Sequence, residues 1–293
     1  MNTPHAVPDP GPAAADTVRT WLAEADRVLI TAGAGLSAAA GYDYGDTTRL
    51  QELFPALYRM GLRSRYIVGV QLPPALWWAY WAVHIDDIRY SPAPNPLYQQ
   101  LRNVVGEKEH WVMTSNVDAL FARNGFDPDR VFTPQGDYGR YQCTVPCSRI
   151  TWDSRPLVET LLAAYDPATG EITDPAVLPH CPNCGEDVEI NVRIGPEFID
   201  DPYLPAGARL QEWLNAAEPA SRLLILEFGA GFNTPGVIRT PGEHLTRHIP
   251  GTRLVRVNPT HSQTPVDLGD RALPVPFDAD RLLDALSNGS AFG

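Results

Sequence analysis

Two glycines separated by one residue follow an apolar run and precede a stretch of small residues. Gly33 and Gly35, with Ala38, fit the G-x-G-x-x-G/A pattern in which the turn between a strand and a helix holds a dinucleotide phosphate. Glycine lets backbone N–H groups approach a phosphate closely, and the start of a helix adds a partial positive charge. The pattern predicts a dinucleotide-binding loop; a tight turn without a ligand is the alternative.

Polar or glycine residues also follow the other apolar runs, which cover 111–115, 131–133, 223–228 and 252–257. In an open parallel sheet the carboxyl ends of the strands share one edge, where ligands bind. We therefore predict one site built from several loops. The residues at these run ends are Asn116, Asp118, Gln135, Gly229, Gly231, Asn233 and Asn258.

The four cysteines form two close pairs that are typical of a metal site. Cys143 and Cys147 are separated by three residues, and Cys181 and Cys184 by two, with Gly185 following. Four thiolates suit tetrahedral zinc, and each pair is able to bind from one tight turn. A site with four protein ligands is structural and does no chemistry. Free or disulfide-bonded cysteines are the alternative.

The elements that position these residues predict an α/β fold, a Rossmann-like doubly wound parallel sheet with a smaller zinc-ribbon module and a helical insertion. We expect a disordered tail over 1–15 and a helix over 16–25. The nucleotide-binding domain is predicted to comprise 16–138 and 188–293, with an aromatic-rich helical insertion at 46–100. The zinc-binding module is predicted at 139–187.

Within the insertion, Trp77, Trp78, Tyr80 and Trp81 form a dense aromatic patch at helical spacing. The pattern favours a helix that packs a satellite core; a lid over a ligand site is the sharper alternative.

Composition narrows the function classes. The net charge of −12 and the lack of a basic run argue against general binding to nucleic acid or to an anionic membrane. Proline, at 29 of 293 residues, is about twice the usual share and predicts long ordered loops. No apolar run reaches the length of a membrane span, and the N-terminus lacks a secretory-signal pattern. We therefore expect a cytoplasmic location.

The order of these motifs resembles the sirtuins, NAD-dependent enzymes with a Rossmann-like domain and a small zinc-ribbon domain. G-A-G-L-S at 33–37 is similar to the family's NAD-binding G-A-G-x-S, and T-S-N-V-D at 114–118 to its T-Q-N-I-D. The loop at 228–235 occupies the place of the family's G-T-S loop, and Asn258 that of its strand-end asparagine.

The resemblance, which covers about 27–285, implies NAD as cofactor. Gly33, Ala34, Gly35 and Ser37 are expected to hold its pyrophosphate, and Gly229, Gly231, Asn233 and Asn258 to complete the cofactor site. Asn116 and Asp118 are expected beside the nicotinamide and its ribose.

The departures from the common sirtuin pattern are informative. The usual His-Gly pair is replaced by Gln135-Gly136, the G-I-P-D-F-R segment by G-Y-D-Y-G at 41–45, and the acyl-lysine-binding stretch by N-V-R-I-G at 191–195. This set resembles the class M sirtuins, a microbial branch found with macrodomain proteins. That branch implies protein ADP-ribosyl transfer, with a lipoyl-bearing carrier protein as acceptor and a macrodomain protein as a partner.

The residue chemistry agrees with that branch. A deacylating sirtuin uses a histidine as general base, whereas the Gln135 carboxamide has no useful basicity near neutral pH. Cleavage of the nicotinamide–ribose bond depends more on positioning and electrostatics. We therefore predict an NAD-dependent ADP-ribosyltransferase in which Asn116, Asp118, Gln135 and Arg193 are catalytic.

Two other functions remain open, a deacylase that works without the histidine and an NAD-binding sensor without turnover. Structural roles also remain open for single residues. These are a helix cap for Asn116, a cap or surface position for Asp118, a backbone turn for Gln135, a solvated charge for Arg193 and a loop contact for Asn233.

Overall fold

The computed structural model describes residues 10–67, 69–91, 93–216 and 220–288. Within these residues the chain forms eleven strands: β1 Arg27–Ala32, β2 Glu109–Thr114, β3 Val131–Phe132, β4 Gly136–Cys143, β5 Trp152–Asp153, β6 Tyr165–Asp166, β7 Glu171–Ile172, β8 Val188–Val192, β9 Leu223–Phe228, β10 Arg253–Val257 and β11 Ala272–Val275.

The described α-helices are α1 Pro10–Glu24, α2 Ala34–Ala39, α3 Thr47–Leu53, α4 Pro55–Arg59, α5 Pro74–Ile85, α6 Pro96–Val105, α7 Leu120–Arg123, α8 Arg155–Ala163, α9 Leu204–Asn215, α10 Arg239–His248 and α11 Ala279–Asn288. A single π-helical turn, Asp86–Tyr90, continues α5.

The main sheet has six strands in the order β11–β10–β9–β1–β2–β3, and every neighbouring pair is parallel. Successive residues of β1 alternate between two cores because side chains along a strand point to opposite faces. Val28 and Ile30 pack into one core with α1, α6 and α11, and Leu29 packs into the other with α9. Burial on both faces explains why β1 and β9 are apolar almost throughout. The predicted doubly wound parallel sheet is confirmed.

A second core lies apart from the main sheet. It combines the aromatic helix α5 with the three-stranded sheet β5–β4–β8 and with α8. Trp78, Tyr80 and Trp81 are buried in this core, and Trp77 is half-buried. The prediction that the aromatic patch packs a satellite core is confirmed.

The predicted segment boundaries need three corrections. The helix α1 begins at Pro10, so 10–15 is helical rather than part of a tail; residues 1–9 lie outside the described part of the chain. The strand β8 pairs with β4, so 188–192 belongs with the cysteine-bearing sheet because the ladder needs a partner for β4. Finally, Leu97 and Tyr98 pack into the main core, so the insertion ends before α6.

Candidate functional site

A cavity of about 540 Å³ lies at the carboxyl edge of the main sheet, where the loops after β1, β9 and β10 meet. Its volume falls within the range of about 300–1,000 Å³ that is usual for ligand sites. Seven of the eight predicted nucleotide-binding residues line it: Gly33, Ala34, Gly35, Gly229, Gly231, Asn233 and Asn258. The described wall also includes Ser115, but none of the four residues predicted to be catalytic.

Glycines bring the first two cavity loops into direct backbone contact. A Cβ atom on Gly35 would lie 2.7 Å from the Gly229 Cα, and one on Gly33 would lie 2.8 Å from the Gly229 carbonyl oxygen. Gly229 itself has φ +62°, a conformation that favours glycine. The sequence places glycine at all three positions because a side chain at any of them would push the two loops apart.

Two of the predicted phosphate donors are already used within the protein. The Gly33 N–H donates to the Phe228 carbonyl oxygen (2.9 Å), and the Gly35 N–H donates to the Gly229 carbonyl oxygen (3.0 Å). The sequence-based expectation that these N–H groups face a phosphate is therefore wrong for Gly33 and Gly35. Their contribution is the close approach of the loops, and exposed Ala34 lies between them at the cavity wall.

Ser37 points away from the cavity, into a buried polar cluster. Its hydroxyl donates to a carboxylate oxygen of Asp118 (2.6 Å) and accepts from the Asn116 amide (3.0 Å). The same Asn116 amide donates to the Gly33 carbonyl oxygen (3.1 Å), and the Tyr98 hydroxyl lies 3.2 Å from the Ser37 hydroxyl. This arrangement does not support the predicted pyrophosphate contact of Ser37, because its hydroxyl is engaged in fixing Asn116 and Asp118.

Burial raises the pKa of Asp118, while hydrogen bonds from the Ser37 hydroxyl and the Leu120 N–H oppose that change. The Leu120 N–H lies 3.0 Å from the second carboxylate oxygen and starts α7. Asp118 therefore does contact the start of a helix, as the structural alternative expected. Asp118 also places a buried carboxylate next to the Asn116 side chain, because both side chains are hydrogen-bonded to the Ser37 hydroxyl.

Asn258 ties two of the cavity loops together. Its amide donates to the Ala230 carbonyl oxygen (3.1 Å), and its side-chain oxygen accepts from the N–H groups of Thr260 (3.0 Å) and His261 (2.8 Å). Asn233 lies in the opposite loop with an exposed side chain at the cavity wall. Asn258 thus shapes the cavity, whereas Asn233 is open to a ligand.

Gln135 and Arg193 lie side by side where the chain enters β4 and leaves β8. The Arg193 N–H donates to the Gln135 carbonyl oxygen (2.9 Å), and the Arg193 guanidinium donates to the Pro134 carbonyl oxygen (3.2 Å). That guanidinium also lies over the Phe198 ring and 3.6 Å from an Asp200 carboxylate oxygen. The pair is built by the strand pairing of Gly136 with Val192.

The four cysteine sulfurs lie within 4.8 Å of one another. The Cys143 and Cys184 sulfurs are 3.7 Å apart, and those of Cys147 and Cys181 are 3.6 Å apart. A Zn–S bond of about 2.3 Å puts the sulfurs of a tetrahedral site about 3.8 Å apart, so the four thiols fit zinc. All four are free of disulfides. The structure thus agrees with the predicted structural zinc site.

The sequence analysis missed Tyr98 and a buried polar group around His84. The spacing of these residues gives no signal, because their partners are far apart in the chain. The single hint is the Tyr-Asp-Tyr segment at 42–44, which departs from the common sirtuin pattern.

Solved structures with a similar fold are those of sirtuins. A mutant Sir2 homologue described as a complex with 2'-O-acetyl ADP ribose matches with a TM-score of 0.56 and 18% identity, over 94% of this chain and 98% of that one. A Sir2–p53 peptide–NAD+ structure matches with a TM-score of 0.53 and 16% identity, over 94% and 98%. The chain therefore has the sirtuin fold, as the resemblance predicted.

Two curated proteins are similar in sequence. A "Probable bifunctional ADP-ribose hydrolase/ADP-ribosyltransferase" of Fusarium oxysporum f. sp. cubense is 38% identical over 248 residues, 82% of this chain and 41% of that protein. A "Protein ADP-ribosyltransferase" of Staphylococcus aureus is 27% identical over 287 residues, 94% of this chain and 88% of that protein. The chain thus spans about two fifths of the Fusarium relative. No family model matches the chain.

Proposed function

We propose that the protein is an NAD-dependent protein ADP-ribosyltransferase of sirtuin type, which releases nicotinamide and transfers ADP-ribose to a protein acceptor. The observation that carries the proposal is the buried Ser37–Asn116–Asp118 cluster behind a nucleotide-sized cavity, with Gln135 in place of a basic side chain. Both curated relatives are named as ADP-ribosyltransferases, and the neighbouring solved structures include NAD and ADP-ribose complexes.

In this proposal the cavity holds the adenosine and diphosphate part of NAD, against Ala34, Gly231 and Asn233. The buried cluster handles the nicotinamide end. The Asn116 amide is held by Ser37 and the Gly33 carbonyl, so it keeps one orientation toward the ligand. The Asp118 carboxylate stabilises positive charge that develops on the ribose as nicotinamide leaves. Fixed polar and charged groups in a water-poor site are the usual means of lowering the activation barrier of a step that develops charge.

Gln135 is the residue whose chemistry favours ADP-ribosyl transfer over deacylation. Its carboxamide donates and accepts hydrogen bonds but takes up no proton near neutral pH. His84 is buried in the second core beside Tyr138, and burial, with the Arg65 charge, lowers its pKa well below the usual value. Its ring is enclosed by aromatic side chains, so it does not replace the missing base. We therefore assign Gln135 to orienting the ribose.

Arg193 is assigned to the acceptor side of the site, because its guanidinium is partly exposed beside Gln135. The acceptor is a protein, and we propose a lipoylated carrier protein as the first candidate. A macrodomain protein that removes ADP-ribose is the proposed counterpart, in line with the hydrolase activity in the Fusarium relative's name.

Within the described residues, no helix is long and apolar enough to cross a bilayer. We propose action in the cytoplasm.

The test is intact-mass analysis of a lipoylated carrier protein and an acetyl-lysine peptide, incubated together with the protein and NAD, with nicotinamide release followed in parallel. An ADP-ribose adduct on the carrier, absent with Asn116→Ala and Gln135→Ala, is the expected result. Gln211→Ala, which removes an exposed amide on α9, is the matched control and should leave the adduct unchanged.

Peptide deacetylation without an adduct would overturn the proposal in favour of a deacylase. NAD binding without nicotinamide release, with all acceptors tried, would favour a sensor. Each result assigns a different function to the same cavity.

A further inference from the structure

A chain of four polar side chains, of which three are buried and Tyr44 is half-buried, runs through the second core. Arg65, with its side chain fully buried, places Nε 3.3 Å and one terminal nitrogen 3.1 Å from the His84 Nδ1 atom. The His84 Nε2 atom lies 3.3 Å from the Tyr138 hydroxyl, which lies 3.1 Å from the Tyr44 hydroxyl.

The first member of this chain sets the direction of the two hydrogen bonds that His84 makes. A guanidinium only donates, so the His84 Nδ1 atom accepts and its proton is on Nε2. Nε2–H then donates to the Tyr138 oxygen, whereas either hydroxyl of the Tyr138–Tyr44 pair is able to donate to the other. When the Tyr138 hydroxyl is the donor, the hydrogen of Tyr44 is directed to an acceptor outside this chain, since Tyr138 is the hydrogen-bond partner of Tyr44 among the described side chains.

Tyr44 is adjacent in sequence to a cavity residue and is linked through Tyr138 to the catalytic cluster. Its neighbour Asp43 lines the cavity, and its own carbonyl oxygen accepts from the Arg65 N–H (2.8 Å), which fixes the loop. The Tyr138 N–H donates to the Val117 carbonyl oxygen (2.8 Å), so the chain is attached directly to the Asn116–Asp118 segment. Burial raises the pKa of Tyr44 well above the usual value, and Tyr138 and the Asp118 carboxylate add to this effect.

The chemistry of the surroundings selects the acceptor. Tyr44 stays protonated at neutral pH and is therefore a donor. A diphosphate placed beside the buried Asp118 carboxylate would be repelled, whereas a neutral sugar oxygen would not.

We propose that Tyr44 donates a hydrogen bond to the ribose at the nicotinamide end of bound NAD, and that Tyr138, His84 and Arg65 are positioning residues for that bond. This inference rests on the proposed function, since it needs NAD in the cavity. Tyr44 would determine how the reacting sugar is held, without taking part in proton transfer.

The test measures the binding of NAD, ADP-ribose and AMP to the full chain by isothermal titration calorimetry. Tyr44→Phe should weaken NAD and ADP-ribose by about three- to tenfold, the usual worth of one hydrogen bond, and leave AMP unchanged because AMP lacks the second ribose. Tyr66→Phe, which alters a tyrosine that is 61% exposed, is the matched control.

A second pair of variants tests the direction of the chain. Glutamine is able to accept from Arg65 and donate to Tyr138, so His84→Gln should retain most of the affinity for ADP-ribose, whereas His84→Leu should lower it as Tyr44→Phe does. Equal weakening of AMP by Tyr44→Phe, or unchanged affinity for all three ligands, would overturn the inference. Wild-type protein that fails to bind NAD would overturn it together with the proposed function. Binding without ADP-ribosyl transfer would overturn the proposed function alone.

Discussion

The Ser37 hydroxyl donates a 2.6 Å hydrogen bond to the Asp118 carboxylate across 81 positions of the chain. The bond joins the helix after β1 to the segment after β2, and it holds a carboxylate that is only 4% exposed. Among the described residues, the Leu120 N–H also donates to this carboxylate. A buried charge held by neutral donors costs stability, and such a cost is usual at a site that needs the charge.

The Asp118→Asn variant is expected to reveal this stability cost, because its melting temperature should depend on pH differently from that of the wild type. Because the pKa of Asp118 is raised in the folded state, the folded protein binds the proton more tightly than the unfolded chain. Wild-type stability is therefore lost as pH rises from the ordinary value of 3.8 through the raised one. The variant has no such loss, so its melting temperature relative to wild type should be higher at pH 7 than at pH 4.

The same variant should lose nicotinamide release, because the charge near the ribose is gone. Asp16→Asn, which removes one exposed carboxylate on α1, controls for the change in net charge. A melting-temperature difference that is larger at pH 4 than at pH 7 would contradict the interpretation of Asp118.

Gln135→Ala is expected to lower nicotinamide release by about 10- to 100-fold with little change in melting temperature, since the side chain orients a substrate and its backbone contact to Arg193 remains. Gln135→His should gain measurable deacetylation of an acetyl-lysine peptide, because an imidazole supplies the missing base. The two activities are read in one assay from the peptide and nicotinamide products. A fully active Gln135→Ala would show that this residue only maintains the turn.

Gly35→Ala is expected to separate the two cavity loops, because its Cβ atom would lie 2.7 Å from the Gly229 Cα. Overpacking of this kind costs about 1–3 kcal/mol of unfolding free energy, and NAD affinity should fall with it. Gly236→Ala is the matched control in the loop after β9, since a Cβ there meets no atom within 4 Å and the residue does not line the cavity. Urea unfolding and NAD titration measure both effects, and equal behaviour of the two variants would contradict a role in loop contact.

Removal of metal by a chelator is expected to unfold the cysteine-bearing sheet and to alter tryptophan fluorescence, since Cys143 and Cys181 share a core with Trp78 and Trp81. Elemental analysis should find one zinc per chain, and Cys147→Ser should reduce it. Ser148→Ala, which changes a neighbouring hydroxyl, should keep the metal. A metal-free protein with unchanged fluorescence and melting temperature would show that the thiols fold without zinc.

The buried strands could be predicted from the sequence because each is a continuous apolar run that ends in glycine or a polar residue. The runs at 111–115 and 223–228 correspond to β2 and β9 with ends that differ by at most two residues. The short edge strand β11 was not predicted, since Pro274 and four residues of length give no periodic signal.

The roles of Ser37 and the glycines show where sequence reasoning ends. The motif correctly placed Gly33 and Gly35 at the cavity, yet their N–H groups donate to the carbonyl oxygens of Phe228, the last residue of β9, and Gly229, which are distant in the sequence. Likewise, His84 appears in the sequence as an isolated histidine, and its tautomer is set by Arg65 through contacts that only the folded chain creates. Long-range pairing of this kind leaves no local pattern.

Among the described residues, the chain passes between the main sheet and the second core near 42–44, 132–138 and 192–210, and Val117 packs against the second core from the segment after β2. Tyr44, Gln135 and Arg193 lie at or beside these passages, and Asn116 and Asp118 flank Val117. The spacing between the two parts of the proposed catalytic group therefore depends on how the second core packs against the main sheet. A substitution inside that core would shift Gln135 relative to Asn116 without changing any residue of the site.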